Sequence, residues 1–178
     1  MSEGPSVVSA FQRLQAGDAA GALEIARAVS AAQPGNARAS LAAGIALRGL
    51  RRFDEARVAL QQAAAIDPKD YAVAYELALL HDQQGDASAA LAHFESAALL
   101  RPTFAPAQYG AAAHRLALKD WPGALERFDA VVRLDARNAD AHAGRGMALQ
   151  GAGRRVEAEH PPLRRLSDAV AITWRRAG

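Results

Sequence analysis

Apolar residues recur at spacings of three and four along most of the chain, the signature of amphipathic helices. The clearest stretch runs from Arg52 to Pro68, where Phe53, Ala56, Leu60, Ala63 and Ile66 share one helical face. Asp67-Pro68 ends it, because proline has no N–H to donate and disfavours helical backbone in the residue before it. The pattern then returns with a fixed beat. Pro34, Pro68 and Pro102 lie 34 residues apart, and Ala136 keeps the interval where the proline is missing. Ala22, Ala56, Ala90, Ala124 and Ala158 form a second column at the same interval. Two independent columns with one period predict a tandem array of helix–turn–helix units. Neither helix of a unit can bury its apolar stripe alone, so the units stack into an all-α solenoid with an inner and an outer face.

The beat places full units at 3–36, 37–70, 71–104 and 105–138 and a partial fifth at 139–160, so that the array fills 1–160. In the first unit the segment from about Ser6 to Gln15 predicts a short first helix. Its Ser6 and Ser9 stand where later units could place apolar residues, as suits an end unit with a wettable face. Asp18 is placed to cap the second helix, and Asn36, Asp70 and Asn138 precede first helices, where a short oxygen acceptor satisfies an otherwise unpaired N–H. Gly17, Gly85 and Gly153 fall in the turns between paired helices, where glycine tolerates positive φ. Arg51 and Lys119 occupy that column in the other units, which predicts turns closed in another way. Pro106 and Pro122 fall in first turns, where the missing N–H leaves no bond unmade. The fifth unit fails: its second helix runs into Pro161-Pro162, and Arg165 takes a place held by Val29, Ala63, Ala97 and Val131. An arginine there would meet a large desolvation cost. Leu163, Leu166, Val170, Ile172 and Trp174 predict that 161–178 forms a C-terminal capping helix or a tail.

With its Ala and Gly columns and closing proline, the 34-residue unit resembles the tetratricopeptide repeat. Ala10, Gly44, Ala78, Ala112 and Gly146 match the column where that family's first helix is pressed against its partner, and the Ala22-to-Ala158 column matches the reciprocal place. Leu60, Phe94 and Phe128 match its large apolar residue one turn later, whereas Ala26 and Pro162 depart from it. The family's first-helix Trp is replaced by Ser40, Ala74, Gln108 and His142, and its Tyr by Arg13, Leu47, His81, Arg115 and Leu149. The resemblance covers about 3–160 and implies a right-handed superhelix whose first helices line the inner face.

Composition narrows the picture further. Of the 51% hydrophobic residues much is alanine, and aromatics make up 6%, which suits closely packed helices. The net charge is +2, which demands no polyanionic partner, although from Arg145 onward seven Arg face only Glu157, Glu159 and Asp168. Basic pairs such as Arg154-Arg155 lack the interleaved aromatics of a nucleic-acid surface, so a solvated face is expected. The absence of Cys removes disulfide and thiolate chemistry. No basic stretch followed by an apolar one opens the chain, and no run is apolar enough to span a membrane. A cytoplasmic location is the expectation.

By analogy with the resembled family, the groove places hold Val7, Phe11, Leu41, Ile45, Tyr75, Leu79, Tyr109 and Met147, with Arg38, Arg48, Glu76 and Asp82 at the edges. The resemblance therefore implies a protein-binding groove for an amphipathic helix or an extended apolar peptide, docked chiefly on Tyr75, Tyr109, Phe11 and Ile45. One subclass of the family grips a partner's terminal carboxylate. Here its places hold Val7, Phe11, Ala42, Ala72 and Glu76, which cannot do so, and Glu76 would repel the anion. No metal-ligand spacing joins His81, His93, His114, His142 and His160, and no nucleophile or phosphate-loop motif is present. No catalytic residue, metal or cofactor is expected. The leading expectation is a non-catalytic interaction scaffold. A second is the targeting part of a larger glycosyl- or sulfotransferase-like enzyme, since arrays resembling this one are often fused to such domains. A third is self-association through an uncovered face.

Overall fold

A computed structural model describes residues 6–159. Among them are nine helices: α1 Val7–Gln15, α2 Ala19–Ala32, α3 Ala37–Gly49, α4 Phe53–Ile66, α5 Tyr71–Gln83, α6 Ala87–Leu100, α7 Ala105–Ala117, α8 Trp121–Leu134 and α9 Ala139–Glu159. No strand occurs among the described residues, and the fold is the all-α solenoid expected. Each odd-numbered helix from α1 to α7 packs on the even-numbered helix that follows it, and each even-numbered helix packs on the first helix of the next unit. The first helices also touch one another, α1 on α3, α3 on α5 and α7 on α9, whereas no second helix among the described residues packs closely on another. First helices therefore lie on the tight inner side of the curve and second helices splay on the outer side.

The small columns explain the close pairing. Ala22, Ala56, Ala90 and Ala124 are 0% exposed, as are Ala10, Ala78 and Ala112 opposite them. Gly44 completes that row, and a methyl group there would strike the Leu60 side chain at 2.6 Å. Between units the fit is equally tight. A methyl on Gly110 would meet the Phe94 ring at 2.5 Å, and one on Gly144 would run into Phe128. Each Phe is thus a knob seated on a bare glycine of the next unit.

The helix ends follow their capping residues. Asn36, Asp70 and Asn138 accept from the N–H groups of Ala39, Ala72 and Ala141, and Asp18 accepts from Gly21. Asp86 and Asp120 cap α6 and α8 in the same way. Pro106 and Pro122 lie in first turns.

Two expectations about turns are corrected. Arg51 and Lys119 do not close their turns differently; they take the glycine's own conformation, with φ of 59° and 61° against 78° and 80° at Gly17 and Gly85. In all four units the N–H after that residue donates to the carbonyl five residues earlier: Asp18 to Arg13, Arg52 to Leu47, Asp86 to His81 and Asp120 to Arg115, at 2.9–3.0 Å. The packing of the second helix thus outweighs the local penalty of a left-handed arginine or lysine.

The turn expected at Gly153 does not form. α9 runs unbroken for 21 residues through Gly146, Gly151 and Gly153, and carries Ala158 with it. A turn is favoured only when the returning helix buries an apolar face, and here the places for its core residues hold Pro162 and Arg165. Among the described residues no second helix presses on Gly146, and a Cβ there would meet none of them within 4 Å. The capping helix expected over 161–178 lies outside the described residues.

Two stability measurements follow. Lys119→Gly relieves the left-handed strain and should raise unfolding free energy by up to about 1 kcal/mol in a urea titration. Gly110→Ala should cost about 1–3 kcal/mol by forcing Phe94 aside. Part of that loss should return in the double variant with Phe94→Leu, a non-additivity that a merely helix-favouring alanine would not produce.

Candidate functional site

The inner face is built from one side of α1, α3, α5, α7 and α9. At its N-terminal end Val7, Val8, Phe11, Asn36 and Arg38 surround a shallow cavity of about 350 Å³. The Arg38 guanidinium lies over the Phe11 ring, 5.4 Å from its centre, so the mouth of this cavity carries a cation on an apolar floor.

The other residues expected in the groove divide into three groups. Leu41 is 4% exposed and belongs to the core, where it offers a partner almost no area. Ile45, Tyr75, Leu79 and Tyr109 are half-buried, with one edge packed between units. Met147, at the far end, is 54% exposed. The tyrosines are wedges as much as surface residues. Tyr75 meets Phe94 and Phe104 edge-on at 5.8 and 5.0 Å, and Tyr109 meets Phe128 at 5.8 Å. Burial pushes the Tyr75 hydroxyl's pKa up, with a smaller push from the neighbouring Glu76 carboxylate. Phe104 caps α7 and is absent from the expected site residues, although its place just before a first helix in the third seam brings it against both Tyr71 and Tyr75.

Charged groups stitch the inner face together. Arg48 donates to Glu76 through Nε at 2.9 Å and through a terminal nitrogen at 2.8 Å, with side chains only 17% and 12% exposed. Residues 48 and 76 lie on successive first helices, so the pair ties the second unit to the third. His114 continues the line: one ring nitrogen lies 3.2 Å from Asp82 and the other 2.9 Å from the Gly110 carbonyl oxygen. The expectation that Glu76 presents a free negative charge is therefore corrected, since Arg48 neutralises it. Exclusion of a carboxylate grip rests on the apolar Val7, Phe11, Ala42 and Ala72. Burial raises the Glu76 pKa above the usual carboxylate value, and Arg48 offsets this only in part.

Among the described residues no cluster of three or more His, Cys, Asp or Glu is poised to hold a metal. No described helix is long and apolar enough to cross a membrane. The His81 and His93 rings stack at 5.3 Å on the outer side of the third unit. Burial, with a smaller contribution from His81, pushes the His93 pKa down.

The repeat geometry and the sequence columns agree with a profile of the tetratricopeptide repeat, which matches residues 13–80 and 47–113, together more than half of the chain. The chain belongs to the tetratricopeptide repeat family. Among solved tetratricopeptide repeat arrays, a crystal structure of MamA is 20% identical, covers 94% of this chain and 96% of its own, and superposes with a TM-score of 0.70. A thermophilic repeat protein of Thermus thermophilus is 19% identical over 79% of this chain and 78% of that one, with a TM-score of 0.66. YrrB, described as a repeat protein with an unusual peptide-binding site, is 18% identical over 83% and 81%, also at 0.66. At these identities the likeness is one of fold. No curated protein matches the chain.

The sign of the Glu76 shift gives a pH prediction. A carboxyl whose folded pKa is raised favours the folded state most when it is protonated in both states, below its unfolded value. That contribution fades as pH rises through the raised folded value. Native stability should therefore fall relative to Glu76→Gln as pH climbs from the ordinary carboxylate range, as measured by paired urea titrations. A constant difference across that window would show that Glu76 titrates normally.

Proposed function

We propose that this chain is a non-catalytic protein-interaction scaffold that docks an amphipathic helix or extended apolar peptide along its inner face. The observation that carries this reading is the line of half-buried and exposed apolar residues on successive first helices. Phe11 and its cavity lie at one end, Ile45, Tyr75, Leu79 and Tyr109 in the middle, and Met147 at the other end. Half-buried aromatic edges suit this role, because they offer area that is already held rigid by neighbours and loses little entropy on binding. The recurrence of one or two apolar positions per first helix favours a ligand that presents its own apolar groups at regular intervals. YrrB, similar in fold, supports the general idea of a peptide site on such an array. Leu41 belongs to the floor beneath the groove.

A binding test must leave the fold intact, and for that reason Tyr75 and Tyr109 are poor targets. Acidic replacements there would break the packing on Phe94, Phe104 and Phe128. Arg38 and Met147 are exposed and suit the purpose. Peptides selected from a displayed random library against the native chain should be apolar at every third or fourth position. They should lose at least about tenfold in affinity for Arg38→Glu/Met147→Glu, corresponding to about 1.4 kcal/mol. Val58→Glu, on the outer face, should leave the same peptides bound. If the selected peptides bind the double variant as tightly as the native chain, the groove is not their site.

A further inference from the structure

The outer face carries a cavity that the groove reading does not use. It lies in the seam between α2 and α4, has a volume of about 410 Å³, and is floored by Ser40, Ala43 and Leu47 of α3 with Ser30, Ala59 and Gln62 on its walls. Val58, 65% exposed, stands beside it.

The repeat shows what is missing there. One unit later the place of Ala59 is taken by His93 and that of Leu47 by His81, and these two rings stack with their planes 12° apart. The space left in that second seam shrinks to about 170 Å³. In the third seam the places of Ser40 and Ala59 hold Gln108 and Arg127, and Arg127 donates to the Gln108 side-chain oxygen at 3.1 Å. The chain thus fills this position with a flat polar side chain in two seams and leaves it open in the first.

Charge decides which flat group would fit. At the rim Glu55 accepts two bonds from Arg52, both 2.7 Å, and a longer one from Arg27, while Asp54 pairs with Arg57 at 2.7 Å. Three arginines face two carboxylates, so a further cation finds no free partner. An electron-rich ring does find one, because the face of an aromatic ring attracts a guanidinium. The chain uses that contact elsewhere, with Arg101 4.6 Å from the Tyr71 ring centre and Arg51 5.5 Å from that of Phe53.

We propose that the α2–α4 cavity is a second binding site, on the outer face, for a tryptophan or tyrosine side chain of a partner polypeptide. The ring lies on Leu47 as His93 lies on His81, with Arg27 over its open face and the Ser30, Ser40 and Gln62 side chains within reach of its N–H or O–H. This site is independent of the inner groove.

The test is a titration of the isotopically labelled chain with N-acetyl-tryptophanamide, followed by amide chemical shifts. Saturable shifts should concentrate on residues of α2, α3 and α4 around the cavity. Ala59→His, which copies the filled second seam, should weaken binding by at least about tenfold. Arg27→Gln should weaken it by about two- to fivefold, the worth of an exposed cation–π contact. Should Ala59→His not fold, Ser40→Gln plugs the same space from the floor. The proposal is overturned if N-acetyl-leucinamide binds equally well or if both plugged variants bind as the native chain does. It is also overturned if free indole binds and the tryptophan amide does not, which would make the cavity a small-molecule site.

Discussion

The approach of one helix to its partner across a row of alanines is the constraint on which the rest of this structure depends. Ala22, Ala56, Ala90 and Ala124 are sealed against Ala10, Gly44, Ala78 and Ala112, with no side chain long enough to hold the axes apart. Helices brought that close leave little room to slide, because interiors pack at crystal-like density. Once the pair is fixed, the large residue one turn further on is fixed too. Leu60, Phe94 and Phe128 then project into the seam with the following unit, where Gly110 and Gly144 make room for the two rings. The period of the sequence is the period of this two-step fit. A methyl group added in either column is felt at once, whereas a charge added on the splayed outer face is not.

Close packing on one side and splaying on the other give the two faces different rules. On the inner face first helices touch at three of the four unit boundaries, and their side chains are held between neighbours. Tyr75 and Tyr109 are therefore both structural wedges and exposed edges, and Arg48 and Glu76 meet across a unit boundary. On the outer face the second helices stand apart, and each seam is filled by whatever the chain supplies. Small residues leave the first seam open, histidine half fills the second, and the third is closed by Arg127, Gln108 and the Arg115–Glu95 pair. The polarity of the filling rises along the array.

The fold is legible in the sequence because its period rests on residues whose size alone matters. Small columns and closing prolines locate eight of the helices among the described residues, and the caps at Asp18, Asn36, Asp70 and Asn138 are legible too, whereas those at Ser6, Asp86 and Asp120 emerge only in the structure. The turns at Arg51 and Lys119 are misjudged when glycine is taken as a requirement of the turn. In fact tertiary packing imposes the left-handed conformation on whatever residue stands there, at a modest local cost. Gly153 misleads for the opposite reason: a glycine in the right column does not turn the chain when the sequence beyond puts Pro162 and Arg165 in the core places of a returning helix. The site is less legible. Spacing puts Leu41 and Tyr75 in one column, but how much of each is covered depends on the neighbouring unit, which no single helix reports. The Arg48–Glu76 pair spans 28 residues, an interval that the columns contain but that only stacked units bring together.

Stability in such an array is a sum of units and nearest-neighbour seams, and the inner ion pairs act within that scheme. Arg48–Glu76 joins the second unit to the third, and His114–Asp82 joins the third to the fourth. The aromatic group of Tyr75, Phe94 and Phe104 occupies the same boundary as the His114 contact. A ligand that presses on Tyr75 would therefore bear on the boundary between the third and fourth units. Because Glu76 is held in a dry setting, tightening that contact favours its neutral form and loosening it favours the charged form. On the proposed docking mode, binding at Tyr75 would be coupled to the protonation of Glu76, its neighbour on α5, whose pairing with Arg48 lies at the boundary of the second and third units. That coupling should not reach the outer cavity between α2 and α4, which lies one seam away and shares none of these residues.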